Sequence, residues 1–326
     1  MKKCINSLLA GGEYVEIIII NDGSTDNTAD IADAYSVCYP SIIRVIHKEN
    51  GGHGSGINCG LKAATGLYFK VVDSDDWLDS DALLDLLSTI KTNLEQDIIA
   101  DLYITNFVYE RATDNTHYVS SFRRNFPAGR ISSWEESRPM YLWHMLLMHS
   151  IISRTDMVRN SGITLPEKTF YVDNLFSYAQ LPFVNKIYYS DTDLYHYYIG
   201  RSDQSVTIEN MVSRYRQQIL VTSSMMKLYS YEEISSLCKP LQKQMYHFLH
   251  SVLANTYFFT TQKDEYVRRK DLECMWHSLR SNDFKLYNKL RKMPLMIITG
   301  ICPWKVNGFI SLFAYKVLTK ITRLGV

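Results

Sequence analysis

Two rhythms of apolar and polar positions alternate along the first half of the chain. "VEIIII" (15–20) is an uninterrupted, mostly β-branched run, the pattern of a strand buried on both faces of a parallel sheet. After "NDGST", Ile31, Tyr35 and Cys38 recur at i, i+4 and i+7 and predict a helix. "IIRVIH" (42–47) predicts a second strand and a glycine-rich loop follows it. Ile57, Leu61 and Ala64 then give another helical stripe, which Gly66 ends. "LYFKVV" (67–72) predicts a third strand. Leu83, Leu87, Ile90 and Leu94 line one face of a further helix, with Asp79 or Ser80 as its N-cap. Strands alternating with helices imply an α/β fold, a doubly wound and mostly parallel sheet.

A strand pair, "LYITNFVYE" and "HYVSSF", follows on either side of the polar "RATDNT". Segments up to about 205 read as helical and mixed, and 208–290 as long helical stretches without strand-like alternation. The expected division is therefore 1–207, a nucleotide-binding α/β domain, and 208–326, a helical C-terminal region. Phe309, Leu312, Phe313, Lys316 and Val317 predict an amphipathic helix near 303–323. Two readings stand for it: packing on the protein's own core, or lying in a membrane interface beside anionic lipid. The basic Lys289, Arg291 and Lys292 upstream favour the membrane. "MKKCINSLLAGG" at the start has the spacing of an amphipathic helix rather than of a signal peptide.

Composition narrows the classes. The chain is 46% hydrophobic and 21% charged over 326 residues, too apolar for disorder and long enough for a large core. Lys and Arg number 35 against 34 Asp and Glu, so no global basic field points to nucleic acid. The six cysteines lie far apart with no C-x-x-C pair, which predicts reduced, buried thiols in a cytoplasmic protein. No apolar run approaches the roughly 18 residues of a spanning helix.

The candidate chemistry sits at strand ends. In open α/β sheets ligands bind beyond the carboxyl ends of the strands. "IIIINDGSTD" and "FKVVDSDD" would bring Asp22, Asp73, Asp75 and Asp76 to one crevice. Carboxylates so crowded call for a cation, and oxygen donors select Mg²⁺ or Mn²⁺, with a diphosphate as the natural further ligand. Asp79 and Asp81 suit the start of the next helix, and Asp76 would do the same or hold the turn. A calcium loop counted from Asp73 fails, because Leu78 and Leu84 stand where glycine and glutamate are required. Gly54, Gly56 and Gly60 approach a dinucleotide fingerprint, but Cys59 occupies the place of its last glycine. His53, beside the crevice, reads as a loop residue rather than a metal ligand.

Four stretches, "EIIIINDGSTDNT", "NGGHGSGINCGLKAATGLYFKVVDSDDWL", "FYVDNLF" and "YHYYIGRSDQSVT", resemble in order the motifs of family 2 glycosyltransferases, over residues 1 to about 207. The resemblance implies the GT-A fold and inverting transfer from a nucleoside-diphosphate sugar, usually a UDP-sugar, with Mg²⁺ or Mn²⁺. It implies that Asp22 recognises the base, that Asp73 faces the ribose and that Asp75 binds the metal. It further implies that Asp173 is the catalytic base, a carboxylate otherwise read as the N-cap of "NLFSYAQ". Asn58 and Arg201 would contact the nucleotide, Arg201 from a loop that closes over the diphosphate. Transfer to a lipid-linked or saccharide acceptor in surface polysaccharide or glycolipid synthesis, with peripheral contact at the inner face of the cell membrane, is the functional expectation.

The chain departs from the family pattern in three places. Val172-Asp173 replaces the Glu-Asp pair, and Ile57-Asn58 replaces an Arg-Asn pair. "MKKCINSLL" corresponds to the helix that follows the family's first strand. The expectation is thus a sheet without that strand, completed by a segment upstream, or else a nucleotide-sugar-binding protein without turnover.

Overall fold

The computed structural model describes residues 1–112, 116–140, 144–199 and 207–321, the side chains of 318–321 excepted. The chain forms two compact units, Met1–Arg138 with Leu146–Ile199, and Pro139–Met145 with Gly200–Val326.

The first unit opens with α1 (Lys2–Leu9), and β1 (Ile17–Asp22) follows it. Then come α2 (Thr28–Cys38), β2 (Ile43–Lys48) and α3 (His53–Ala63). β1 and β2 pair in parallel from Ile17 opposite Ile43 to Asp22 opposite Lys48, which sets a carboxylate beside an ammonium at the strand ends. Ile5 of α1 joins Ile17 and Ile43 in one buried cluster, so the apolar starts of both strands anchor this layer.

β3 (Tyr68–Phe69), β4 (Trp77–Leu78) and α4 (Ser80–Glu95) come next. Asp79 is the N-cap of α4, as its position suggested: its carboxylate accepts the Ala82 N–H at 2.9 Å. β5 (Leu102–Arg111), β6 (His117–Ser120), β7 (Ile131–Ser132) and β8 (Ile151–Arg154) precede α5 (Thr155–Asn160) and α6 (Val172–Gln180). β9 (Ile187–Ile199) closes the unit. The larger sheet runs β3-β8-β5-β9-β4, with β6 on β5 and β7 on β9. Among the strand pairs of the described residues in this sheet β5–β9 is parallel and the others antiparallel, so the α/β architecture carries a mixed sheet.

Three local expectations are corrected. The third strand is shorter than its apolar run, because Lys70 turns its ammonium onto the His149 carbonyl at 2.8 Å. β9, in a stretch read as mixed, is a 13-residue strand. Its tyrosines look amphipathic in sequence, yet Tyr189 and Tyr195 are wholly buried because their hydroxyls bond to buried acceptors, Tyr189 to Asn106 and Tyr195 to Asp76. Of the cysteines only Cys4 is buried; Cys38 and Cys274 are exposed, and Ala32 rather than Cys38 is what α2 hides.

The second unit is helical. It contains α7 (Ile208–Ser213), α8 (Tyr215–Leu228), α9 (Tyr231–Ser236) and α10 (Lys239–Thr261). α11 (Tyr266–Asn282), α12 (Phe284–Arg291), α13 (Pro294–Ile301) and α14 (Trp304–Ile321) complete it. α10 is its axis: Phe248, Leu249, Val252 and Leu253 are fully buried.

Candidate functional site

The segment after β3 turns through Asp73 and Asp76 against β9. The Asp73 N–H donates to the Tyr195 hydroxyl at 3.2 Å, and that hydroxyl donates to Asp76 Oδ2 at 2.5 Å. Asp76 Oδ1 accepts the Tyr198 N–H at 2.8 Å, and the residue is 1% exposed. Asp73 faces two imidazoles, His53 Nε2 at 3.2 Å from Oδ1 and His149 Nε2 at 3.8 Å from Oδ2. His149 lies stacked on Tyr197 with ring centroids 4.5 Å apart, and its Nδ1 is buried without a hydrogen-bond partner. One donor atom each from Asp73, Asp76 and His149 fall within 4.8 Å of one another.

The charges are graded. Burial works against ionisation of Asp73, but His149 and His53 outweigh it and hold its carboxyl below the usual range. Burial likewise opposes protonation of His53, and Asp73 overcomes that, so the imidazole is raised and the two form an ion pair. Asp76 has no such cation: burial first, then the negative charges of Asp73 and Asp75, push it up to about 8. Burial lowers Lys70 to about 7 against the pull of Asp73. Burial thus disfavours the charge of Asp76, and a hard cation bound beside it would offset that cost.

Asp173 is brought to the same group. It lies in the first turn of α6, after Tyr171 at φ 66°, and is not the N-cap; Tyr171 holds that place without a side-chain bond. Burial raises the Asp173 carboxyl, while the charges of His149 and His53 pull it down and that of Asp73 pushes it up. A partly buried carboxylate with a raised affinity for protons is suited to accept one from a hydroxyl.

Asp22 organises the glycine loop. Its oxygens accept the Gly51 N–H at 2.9 Å, the Gly52 N–H at 2.7 Å and the Lys48 ammonium at 2.6 Å. Burial opposes its charge, but these donors together lower its pKa. The loop then packs on 165–168. A Cβ on Gly54 would stand 2.6 Å from the Pro166 carbonyl, and one on Gly52, at φ 79°, 3.1 Å from the Lys168 backbone. The close approach these glycines allow is to the protein's own chain, not to a dinucleotide. Asn58 is part of the same seam: its amide donates to the Leu165 carbonyl and accepts the Leu165 N–H, each at 2.9 Å. Its carboxamide is thereby turned to Leu165 rather than held out for a nucleotide. Ser55 donates to Glu167 at 3.1 Å. The seam runs on through Lys168 at φ 50° to Tyr171, so strained backbone leads straight into Asp173.

Asp22 closes β1, Asp73 lies in the coil beyond β3, which stops at Phe69, and Asp173 lies in the first turn of α6. Asp75 is half-buried in the turn between Asp73 and Asp76 and is not one of the three clustered donors. Arg201 lies outside the described residues. Sequence reasoning missed His149, Lys70 and Tyr195. A lysine inside an apolar strand run is a legible signal; "LLMHSII" around His149 carries none.

Residues 1–153 match the model of Glycosyl transferase family 2. EpsH of Bacillus subtilis (strain 168), named as a glycosyltransferase, is 29% identical over 67% of this chain and 60% of its own length. The chain thus spans less than two thirds of EpsH. The uncharacterized glycosyltransferase EpsJ of the same organism is 25% identical over 96% of this chain and 91% of its own. Among solved structures, S. aureus TarS 1–349 in complex with UDP-GlcNAc superposes with a TM-score of 0.65 at 19% identity, over 97% of this chain and 87% of that one.

Proposed function

We propose, from the premise that this chain belongs to the family 2 glycosyltransferases and is a glycosyltransferase of GT-A type, that it moves a sugar from a UDP-sugar to a hydroxyl with inversion. The reading rests on one arrangement above all: Asp73, Asp76 and His149 bring donor atoms within 4.8 Å of one another, in the turn that also carries Asp75. The solved likeness crystallised with UDP-GlcNAc supports UDP as the nucleotide.

In this reading Asp22 meets the base while it holds the glycine loop, and Asp73 meets the ribose, its charge kept by His53 and His149. Asp75, with Asp73, Asp76 and His149 behind it, is the place for Mg²⁺ or Mn²⁺. Bound there, the cation supplies charge stabilisation for the departing diphosphate. Asp173 orients the acceptor hydroxyl and takes its proton as the oxygen attacks the anomeric carbon. Attack opposite the leaving diphosphate inverts that carbon, with no covalent enzyme intermediate. Asn58 acts through the seam to Leu165, and Arg201 closes on the diphosphate. The acceptor is a lipid-linked or saccharide hydroxyl of a surface polysaccharide or glycolipid precursor, met at the inner face of the cell membrane.

Thermal stabilisation of the whole chain by UDP, with and without Mn²⁺, tests the donor site. The expected result is a Mn²⁺-dependent shift of several degrees that Asp75→Asn abolishes. A folded wild type that shows no shift with UDP, with or without Mn²⁺, would overturn the reading.

A further inference from the structure

We infer that the outer face of α14, continued by α13, is a docking surface for an anionic lipid bilayer, lying in the interface rather than crossing it. α14 is fixed by one face to the helical unit. Asn307 donates to the Thr299 carbonyl at 2.9 Å and to that of Cys302 at 3.1 Å. A Cβ on Gly308 would stand 2.5 Å from the Thr261 carbonyl, so this turn lies directly on α10. Ser311 meets the Thr261 hydroxyl at 3.1 Å, and Tyr315 stacks on Phe258 at 4.4 Å.

That docking turns Val306, Phe309, Phe313 and Val317 outward, spaced at i, i+3, i+7 and i+11 along one stripe. Phe309 is 72% exposed and Phe313 61%. α13 adds Ile297 and Ile301, the latter 78% exposed. Two large aromatic side chains held in water on a helix whose other face is packed are unusual for a free surface.

Charge says what covers them. Beyond Asp283 the chain has eight Lys and Arg and no Asp or Glu. The whole chain carries +1, so the first 283 residues carry −7 and the last 43 carry +8. Lys305 and Lys316, both exposed, border the Phe309 side of the stripe. Anionic headgroups attract this lysine border and the acyl boundary takes the phenylalanines, whereas two copies of the face would bring the like charges of Lys305 and Lys316 together. Among the described residues no helix is long and apolar enough to cross a membrane, so the helix lies in the interface plane.

The test is co-sedimentation of the full chain with vesicles of phosphatidylcholine alone or with about one third phosphatidylglycerol. Wild type should partition at least about tenfold more strongly onto the anionic vesicles, and Phe309→Ser/Phe313→Ser should lose most of that. Lys305→Gln/Lys316→Gln should weaken binding in step with added salt. Light scattering without lipid should give a monomer. The inference is overturned if folded wild type ignores anionic vesicles, if the serine pair binds as well as wild type, or if this face is buried in a dimer. It is overturned too if an oligonucleotide competes the vesicles off while the phenylalanines prove irrelevant. Unchanged melting of both variants keeps a folding defect from imitating a loss. Vesicle binding without UDP binding would refute only the donor reading, and the reverse only this one.

Discussion

The crevice of the first unit holds ionisable side chains away from water, whereas the last helices of the second unit hold apolar surface in it. Asp73, Asp76, Lys70 and His149 lie in or under the sheet, while Phe309 and Phe313 stand in solvent. Each arrangement costs free energy that ordinary packing would have avoided. The difference teaches what each region awaits. A cluster of carboxylates is completed by a cation and a charged substrate, and a bare aromatic stripe by an apolar phase. Three histidines of the second unit are lowered by burial as Lys70 is in the first: His144, His247 and His250 stay neutral. Burial opposes charge in both regions: in the crevice Asp73 and His53 keep theirs as an ion pair, and among the helices Arg268 keeps its own against the Val212 and Phe259 carbonyls.

The largest effect expected from breaking this contrast is on chemistry. Asp173→Asn keeps the shape of the side chain and removes its ability to take a proton. Turnover, measured as UDP release with acceptor present, should fall about 100- to 10,000-fold with donor binding little changed. A fall in donor affinity instead would assign Asp173 to binding.

Acid should separate the two regions next. Burial first, and then the charge of His247, lower His144 to about 4, whereas the unfolded imidazole titrates near 6.5. Between these values the unfolded chain binds a proton that the folded chain refuses, so stability falls as pH drops from about 6.5 to about 4. The loss is on the order of 3 kcal/mol, read from urea titrations across that range, and His144→Gln should flatten it. Asp73 works in a lower window: its folded pKa is depressed, so its contribution is present above the ordinary carboxylate range and fades only below about pH 4. A single titration step shared by wild type and His144→Gln would erase the distinction.

Asp79→Ala supplies the smallest effect and the baseline. It removes an exposed cap bond to Ala82 and should cost about 1 kcal/mol in chemical denaturation, with donor binding unaltered.

Much of the first unit was legible. The β-branched run before Asp22, the second strand and the Asp79 cap of α4 follow local rules that tertiary context left alone; the expected stripe of α4 does not, since Leu83, Leu86 and Asn93 are buried while Leu94 is exposed. The crevice was legible in part: Asp22 ends β1 and Asp173 starts α6, where short-range pattern is informative, whereas Asp73 lies beyond a strand that stops at Phe69. β9 was not, because a buried tyrosine is distinguished from an exposed one only by the acceptor its hydroxyl finds, and that acceptor lies 119 residues away in Asp76 for Tyr195. His149 was hidden for the same reason. Its neighbours Tyr197 and Asp73 come from segments on either side of it in the chain.

By itself the sequence determined which segments are strands and helices in the N-terminal layer, that carboxylates crowd after the apolar run ending at Val72, and that the last 43 residues are basic and amphipathic. Those properties are set by period, sign and composition, which are local or additive. Only the tertiary structure decided which carboxylates share a cluster, which imidazoles keep Asp73 ionised, that the glycine loop closes on 165–168, and which face of α14 remains open. Each of these depends on the distance between groups remote in sequence, and Coulomb energy, hydrogen bonding and burial all respond to that distance rather than to order along the chain.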